Sequence, residues 1–281
     1  MYRVSIIIPC YNDGKYLPEA IASARAQTYP NIEIIIVDDH STDPKTQRVL
    51  LDVAAQGLCV LQTPPGKKGL PAARNAGIAR ATGKYILPLD ADDKIEPTYV
   101  SKAVTVLNDN DDVSICGSQV RFFGFRNNVW IQPEYSYEAL VLEEYKLVCS
   151  CMYRRTAWER VGGYDESLAI GKEDMVLWLD LLQDGGKVSI LPEALFFYRI
   201  RPNSMTASVV GAPSEREKLA ALYSARPIIF ERHTLDFMNA LARYREEKGR
   251  RECLISWKAF SPVLKLEWAL RQWIKRRLGR A

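Results

Sequence analysis

Short apolar runs alternate with segments of helical period along the first ninety residues. The runs are rich in β-branched residues and lack polar alternation, which is typical of strands buried on both faces of a parallel sheet. The alternation predicts right-handed βαβ crossovers and an α/β fold. The predicted strands are Arg3–Pro9, Ile32–Asp39, Leu58–Gln62 and Lys84–Leu89. The predicted helices are Lys15–Gln27, Thr42–Ala55 and Pro71–Ala81.

The second half of the chain has a less regular pattern, which predicts a mixed sheet. Beyond Pro213 the pattern is helical to the last residue. We therefore expect a sheet domain over residues 1–212 and a helical, basic extension over residues 213–281. The predicted strands are Val113–Phe123, Cys149–Arg154, Val188–Leu191 and Phe196–Arg199. The predicted helices are Tyr137–Val148, Thr156–Val161 and Met175–Gln183.

Polar segments follow three of the predicted parallel strands. They are Pro9 to Asn12, the pair Asp38-Asp39, and Asp90 to Asp93. Ligands of open α/β sheets bind at the carboxyl ends of the strands, so we expect these three segments to converge on one crevice.

The segment Asp90-Ala91-Asp92-Asp93 carries three carboxylates within four residues. Such carboxylates repel one another unless a cation lies among them, and hard oxygen ligands suit Mg²⁺ or Mn²⁺. A solvated acidic turn before a helix near Pro97 is the alternative. The position directly after a buried strand favours the metal site.

The pair Asp38-Asp39 also ends a buried strand. A carboxylate there could accept hydrogen bonds from a nucleobase or from ribose hydroxyls, or it could be an ordinary helix N-cap before Ser41 and Thr42. The ring of Tyr11 could stack on a base, or it could pack in the core. These alternatives stay open at this stage.

Basic residues surround the glycine-containing loop before the third helix. Together with backbone N–H groups at a helix start, Lys67, Lys68 and Arg74 make a plausible diphosphate site, although a charged surface run is the alternative for the lysines. Neither G-x-G-x-x-G after the first strand nor G-x-x-x-x-G-K-[ST] is present. A nucleotide must therefore be held through its base, its ribose and a metal-bridged diphosphate.

The pair Glu173-Asp174 opens a predicted helix beside the loop residues Gly171 and Lys172. A carboxylate at a helix start next to a mobile loop is well placed to act as a general base. The alternative is that the pair only stabilises the helix dipole.

The net charge of +4 conceals an uneven distribution. The segment Arg243–Ala281 has 12 Lys/Arg and 4 Asp/Glu, a balance of +8, so residues 1–242 carry 4 − 8 = −4. Trp268 and Trp273 lie among the basic residues in a segment that Ser261-Pro262 opens as a helix, which favours an anionic membrane surface over nucleic acid. Docking of this helix onto the protein or a partner is the alternative.

Composition adds limits on location and redox chemistry. No apolar run approaches the ~20 residues that span a bilayer, and no signal-peptide pattern follows Met1, so we expect a cytoplasmic protein, peripheral at the inner face of the plasma membrane if the extension binds lipid. The six cysteines lack zinc-site spacing and are interpreted as reduced core residues, with Cys149 and Cys151 at alternate positions of a strand.

Taken in order, these segments resemble the family 2 glycosyltransferases of the GT-A fold. The resemblance covers roughly residues 3–206. It rests on SIIIPCYN, IIIVDDHSTD, GLPAARNAGIARATGKYILPLDADD, RRTAWERVGGYDE, GKEDMVLWLDL and YRIRPNSMT. The pieces are weak one by one, whereas the combination is highly specific.

The resemblance implies roles for the residues that match. Asp174 would be the catalytic base with Glu173 beside it, and Asp90 and Asp92 would form the D-x-D that meets ribose and metal, with Asp93 in support. One departure concerns Arg201, which stands near a position where many relatives carry a histidine; an arginine cannot ligate a cation and would offset phosphate charge instead. The donor-binding positions are Pro9, Tyr11, Asp39, Lys68, Arg74, Asp90, Ala91 and Arg201, and the metal positions are Asp90, Asp92 and Asp93.

The implied activity is metal-dependent transfer of a hexosyl or N-acetylhexosaminyl group, with inversion, from a nucleotide-diphosphate donor to a glycan or lipid-linked acceptor. A UDP-sugar is the favoured donor, and bacterial cell-envelope polysaccharide synthesis is the expected setting. Two rivals remain. A nucleotidyltransferase would share the sheet and the metal but needs a glycine-rich first loop. A silent nucleotide- or glycan-binding module would bind a donor without turnover.

Overall fold

The structure is a computed structural model. It describes residues 1–141, 145–168, 172–201, 221–234 and 238–239. The predicted extension helix and Cys253 lie outside these ranges. By contacts the chain divides into two units, one formed by Met1–Gln132, Leu147–Ala169 and Glu173–Val209, the other by Pro133–Lys146, Ile170–Lys172 and Val210–Ala281.

The first half of the chain forms the predicted parallel sheet. Its four strands are ordered β3-β2-β1-β4, and all their pairings are parallel. All seven residues of β1 are buried, as the continuous apolar run predicts. The strands are β1 (Val4–Cys10), β2 (Ile32–Asp38), β3 (Cys59–Gln62) and β4 (Tyr85–Pro88).

The second half extends the same sheet in the order β4-β8-β6-β9-β5, with β7 paired to β6. The pairing of β8 with both neighbours is antiparallel, whereas β6 and β9 run parallel, so the sheet is mixed here as predicted. The strands are β5 (Lys94–Ile95), β6 (Val113–Gly124), β7 (Val129–Trp130), β8 (Met152–Arg154) and β9 (Lys187–Ile200).

Two strand predictions in this half need correction. The predicted pair Val188–Leu191 and Phe196–Arg199 is one continuous strand, β9, whose register against β6 shifts at Pro192 and Glu193. Proline lacks an N–H for the ladder and is accommodated at such an irregularity. Strand β8 starts at Met152, because the Cys151 N–H bonds the Cys149 carbonyl oxygen at 2.8 Å and turns the chain there.

The helices lie close to their predicted ranges, with one exception. Within the helix predicted over Tyr137–Val148, the described helical residues are Tyr137–Val141, and residues 145–148 are not helical. The helices are α1 (Leu17–Arg25), α2 (Pro44–Ala55), α3 (Leu70–Arg80), α4 (Tyr99–Asp109), α5 (Tyr137–Val141), α6 (Arg155–Val161), α7 (Glu173–Leu182) and α8 (Pro227–Arg232).

Helix α3 packs very closely on the parallel sheet. Gly77 faces the sheet so closely that a Cβ atom built on it would lie 2.5 Å from Ile7 Cγ2 and 3.0 Å from Val37 Cγ2. The absence of a side chain at this position therefore sets the depth of α3 against β1 and β2. This depth matters because α3 carries Arg74.

Candidate active site

The loops that follow the first three strands are hydrogen-bonded to one another. The Asp39 N–H donates to the Cys10 carbonyl oxygen at 2.8 Å, and the Thr63 N–H donates to the Asp38 carbonyl oxygen at 3.0 Å. The first two predicted segments are therefore side by side, and the third follows β4, the other neighbour of β1.

Asn12 links the first two of these loops, a role that sequence analysis missed. It has a left-handed backbone with φ of 55°. Its side-chain oxygen accepts the N–H groups of Thr42 and Asp43 at 2.8 Å each. Asparagine tolerates this backbone region better than most residues, so its position after a buried strand was the available signal.

Asp39 organises the loop in front of α3. Its carboxylate accepts the Thr63 hydroxyl at 2.8 Å and the Gly69 N–H at 2.7 Å, where Gly69 is the N-cap residue of α3. The alternative that the Asp38-Asp39 pair caps the next helix is wrong, because Asp43 caps α2 by accepting the Thr46 N–H at 2.9 Å. The N-terminus of α3 is thus already supplied with a carboxylate.

The other candidate donor residues differ in exposure. Tyr11 is 55% exposed, so the alternative that its ring packs in the core is wrong. Pro9 is buried in β1, whereas Lys68 is exposed. Lys67 pairs with Glu166 at 2.8 Å. The exposed ring of Tyr11 is accessible for stacking against an aromatic ligand.

Arg74 is fully buried and binds three carboxylates. Its guanidinium lies 2.9 Å from Asp90, 3.1 Å from Glu173 and 2.6 Å from Asp174. These residues come from the loop after β4 and from the first turn of α7. We call Arg74, Asp90, Glu173 and Asp174 the Arg74 cluster. It joins the first carboxylate of the D-x-D directly to the candidate base.

The Arg74 cluster carries more negative than positive charge. One guanidinium faces three carboxyl groups, and such a site favours retention of a proton. Burial raises the pKa of Asp174 to about 8, with Arg74 lowering it and the like charges of Glu173 and Asp90 adding to the rise. The thiol of Cys149 donates to Asp90 at 3.4 Å, and burial raises the pKa of that thiol well above its usual value.

The second carboxylate of the D-x-D has a different arginine. Arg201 Nη2 lies 2.8 Å from Asp92 Oδ2, and Arg201 Nη1 lies 2.6 Å from Asp13 Oδ1. We call Asp13, Asp92 and Arg201 the Arg201 cluster. The pKa of Asp92 is raised to about 6, mainly by burial and also by the like charge of Asp90, against the opposing effect of Arg201.

Asp93 and Ala91 lie deeper than their neighbours. The carboxylate of Asp93 accepts the Arg199 N–H at 2.8 Å, and burial raises its pKa well above the usual value. Ala91 is also buried. The contacts of Asp93 stabilise the loop against β9, and its contact with a metal stays a prediction.

The donor set can be compared with what a divalent cation needs. Within the described ranges, no group of three or more His, Cys, Asp or Glu side chains is arranged to hold a metal ion. Asp90 and Asp92 still offer hard oxygen atoms. The pKa of Asp92 is raised mainly by burial and also by the like charge of Asp90, and a cation would offset both effects. These residues fit a cation that takes its remaining ligands from a diphosphate and water, as Mg²⁺ commonly does.

Sequence analysis missed two charged residues of this region, Asp13 and Arg199. The side chain of Arg199 donates from Nε to the Asp92 carbonyl oxygen at 2.7 Å. Arg199 ends a predicted strand two residues before the candidate residue Arg201, and this closeness in sequence was the available signal. Nothing in the sequence pointed to Asp13, whose partner is 188 residues away.

A mixed α/β sheet has acidic loops at the ends of its parallel strands, and a buried arginine joins one of these loops to a candidate base at the start of α7. This arrangement is typical of a transferase of the GT-A type. Comparison with known proteins identifies the family. A model described as glycosyl transferase family 2 matches residues 5–167. The chain belongs to this family of glycosyltransferases.

Curated relatives agree with this assignment over most of the chain. The uncharacterized glycosyltransferase RP339 of Rickettsia prowazekii is 31% identical over 88% of this chain and 80% of its own length. The succinoglycan biosynthesis protein ExoO of Rhizobium meliloti is 28% identical over 89% of this chain and 74% of its own. The Escherichia coli UDP-Glc:alpha-D-GlcNAc-diphosphoundecaprenol beta-1,3-glucosyltransferase WfaP is 31% identical over 74% of this chain and 81% of its own.

Solved structures agree on the fold. The S. aureus TarS fragment 1–349 in complex with UDP-GlcNAc aligns with a TM-score of 0.64 at 21% identity, covering 79% of this chain and 66% of that fragment. The ligand-free fragment gives 0.59 at 22% identity, covering 70% and 60%. The chain therefore spans less than two thirds of the TarS fragment, and the GT-A fold is what the two share.

Proposed function

We propose that this glycosyltransferase moves a hexosyl or N-acetylhexosaminyl group, with inversion, from a UDP-sugar to a glycan or lipid-linked acceptor in cell-envelope polysaccharide synthesis. The observation that carries the proposal is the Arg74 cluster. The buried guanidinium of Arg74 lies 2.9 Å from the carboxylate of Asp90, which is proposed to meet the donor, and 2.6 Å from the carboxylate of Asp174, the candidate base. A transferase needs these two functions within reach of one anomeric carbon.

The proposed reaction is a single displacement. The acceptor hydroxyl oxygen forms a bond to the anomeric carbon as the bond from that carbon to the diphosphate oxygen breaks, and Asp174 takes the hydroxyl proton. The nucleoside diphosphate leaves with the bonding electron pair. Attack opposite the leaving group inverts the anomeric centre.

Mn²⁺ or Mg²⁺ is proposed as the cofactor, held by Asp92 and Asp90 with diphosphate oxygens and water. When bound, such a cation supplies positive charge that offsets the charge growing on the leaving group. The residues of this chain would then have separate tasks. Asp39 keeps the loop before α3 in place and Tyr11 offers its exposed ring to the base. Arg74 orients the three acidic residues that it binds.

The setting is proposed from the printed names of two relatives and from the basic extension. ExoO is named for succinoglycan biosynthesis, and WfaP for transfer of glucose from UDP-Glc to a diphosphoundecaprenol-linked sugar. No helix in the described part of the chain has the length and apolar character needed to cross a bilayer. A lipid-linked acceptor would instead be met at the membrane surface, through residues 261–281.

The test is a binding and hydrolysis screen of the purified full-length chain against UDP-, GDP- and dTDP-sugars, each with Mn²⁺, Mg²⁺ or EDTA. We expect cation-dependent binding and slow hydrolysis of one UDP-sugar, with UDP as the product. Binding without any turnover, in the presence of candidate acceptors, would favour a silent module. A nucleoside monophosphate as the product would contradict sugar transfer.

A further inference from the structure

The two basic residues at the end of β9 make different kinds of contact with the acidic loop after β4. The Arg199 backbone N–H donates to the Asp93 carboxylate and its Nε donates to the Asp92 carbonyl oxygen, and its side chain also pairs with Glu19. Two of these bonds involve backbone groups, so Arg199 holds the backbone of the loop in place. Arg201, just beyond the strand, contacts this loop through a side-chain ion pair with Asp92, and its second ion pair is with Asp13 in the loop after β1.

The ion pair of Arg201 occupies one of the two Asp92 oxygen atoms that could ligate a cation. Its Nη2 lies 2.8 Å from Asp92 Oδ2. A divalent cation binds a carboxylate oxygen at about 2.1 Å, and a guanidinium on the same group would then face a like charge a few ångströms away. The two positive groups therefore weaken one another's binding at Asp92.

The Arg201 side chain is also poised to leave this position. It is 27% exposed, Asp92 is 16% exposed and Asp13 is 26% exposed, so the cluster borders solvent. The Nε–H of Arg201 is buried and has no hydrogen-bond acceptor among the described residues. A diphosphate offers a guanidinium two or more oxygen acceptors in a bidentate arrangement, together with a larger negative charge than one carboxylate.

We propose that Arg201 and a divalent cation compete for the carboxylate of Asp92, and that the diphosphate of the donor resolves the competition by drawing the guanidinium onto its own oxygens. Cation binding in the free protein is then weak, and it becomes tight once a nucleoside diphosphate is present. Arg201 is a positioning residue in this scheme. The inference rests on the proposed function, because it takes a nucleoside diphosphate as the ligand.

The test measures Mn²⁺ binding directly, from the loss of the free-ion electron paramagnetic resonance signal, on the full-length chain without nucleotide. We expect Arg201→Gln to bind Mn²⁺ about tenfold more tightly than the unaltered chain, a size typical of coupling between two ligands. Arg126→Gln is the matched control, because Arg126 is exposed on another loop and the change removes the same charge. Its affinity should equal that of the unaltered chain.

A second variant locates the gained site. Adding Asp92→Asn to Arg201→Gln should abolish the gain, and thermal melting reports whether both variants are folded. With UDP present, the affinity of the unaltered chain for Mn²⁺ should rise more than that of Arg201→Gln. Equal Mn²⁺ affinities of Arg201→Gln and the control, or a gain that survives Asp92→Asn, would overturn the proposal.

The proposed function is tested by a different experiment, the donor screen. Absence of binding to every nucleotide-sugar in that screen would contradict the proposed function. The comparison of Arg201→Gln with Arg126→Gln needs no nucleotide, so its outcome bears on the competition for Asp92 alone.

Discussion

Asp174 meets both requirements of a general base, an accessible oxygen and a fixed orientation. Its side chain is a quarter exposed, and the 2.6 Å ion pair with Arg74 fixes the orientation of its carboxylate. Asp174→Asn should keep the shape and the contact with Arg74 while removing the ability to take a proton. We expect turnover to fall by about 10²-fold or more, with donor affinity within about twofold of the unaltered chain.

The matched control is Asp180→Asn on the same helix, which changes a carboxylate that lies outside the Arg74 cluster. Turnover and donor affinity are measured side by side, by product formation and by calorimetry. Retained turnover in Asp174→Asn would remove Asp174 from the role of base.

The protonation of Asp174 gives the reaction a pH dependence. Its pKa is raised by burial to about 8, so the carboxyl is mostly protonated at pH 7, with Arg74, Glu173 and Asp90 as the charged groups facing it. A base must be deprotonated, so kcat/KM should rise about tenfold per pH unit below pH 8 and level off above it. A profile that is flat from pH 6 to 9 would contradict this assignment.

The same raised pKa has the opposite effect on folding. A carboxyl whose pKa is higher in the folded than in the unfolded chain stabilises the fold at low pH, below its unfolded value near 4. That contribution is lost as the pH rises towards 8. The pH at which turnover is fastest is therefore higher than the pH at which the Asp174 carboxyl contributes most to the stability of the fold.

At the scale of elements, α3 connects the sheet to the site. Gly77 lets the helix approach β1 and β2, and Arg74, one turn earlier, delivers its guanidinium to the acidic loop and to α7. Gly77→Ala would improve helix propensity but would force a Cβ atom against Ile7. We expect a net loss of about 1–3 kcal/mol in the free energy of unfolding, as for other overpacked cores.

The matched control is Ala79→Gly, at an exposed position of the same helix. It measures helix propensity alone and should cost about 1 kcal/mol. Both values come from urea unfolding. A Gly77→Ala chain that is more stable than the unaltered one would mean that α3 can move away from the sheet without cost.

Sequence pattern predicted the elements of the first half well, because buried parallel strands and the helices between them have strong local signals. It failed where pairing decides the outcome. The continuity of β9 across Pro192 depends on its register against β6, and the start of β8 at Met152 depends on where the chain turns. Neither is encoded in local periodicity.

The site was predictable in its residues but not in its connections. The D-x-D and the Glu173-Asp174 pair are visible in sequence, and Arg74 was expected to meet a diphosphate from the first turn of the third helix. The structure places it in the interior with three carboxylates, since its helix is packed against the sheet. Contacts across 99 or 100 residues, such as those of Arg74 with α7, have no local signal.

At the scale of the whole molecule, charge is divided between an acidic body and a basic extension. Residues 1–242 carry −4, and Arg243–Ala281 carry +8. We expect the full-length chain to float with vesicles that contain anionic lipid and to lose most of this binding when it ends before Ser261. Attraction to anionic lipid is worth about 1 kcal/mol per basic residue near the surface and weakens with salt.

The comparison uses flotation at low and high salt, with vesicles of neutral lipid as the control. Equal flotation of both lengths would place the membrane contact elsewhere in the chain. Flotation with neutral vesicles alone would contradict an electrostatic attraction.

The shared guanidinium of Arg74 also has a genetic consequence. Loss of Arg74 would leave three acidic side chains facing one another without a counter-charge. A substitution of Arg74 should therefore lower protein stability and abundance more than it impairs the transfer step itself. Second-site suppressors that restore protein abundance should then include changes that neutralise Glu173 or Asp90. Such revertants would accumulate the protein without regaining transfer, and effects at Asp90 and Asp174 would be epistatic because both depend on one residue.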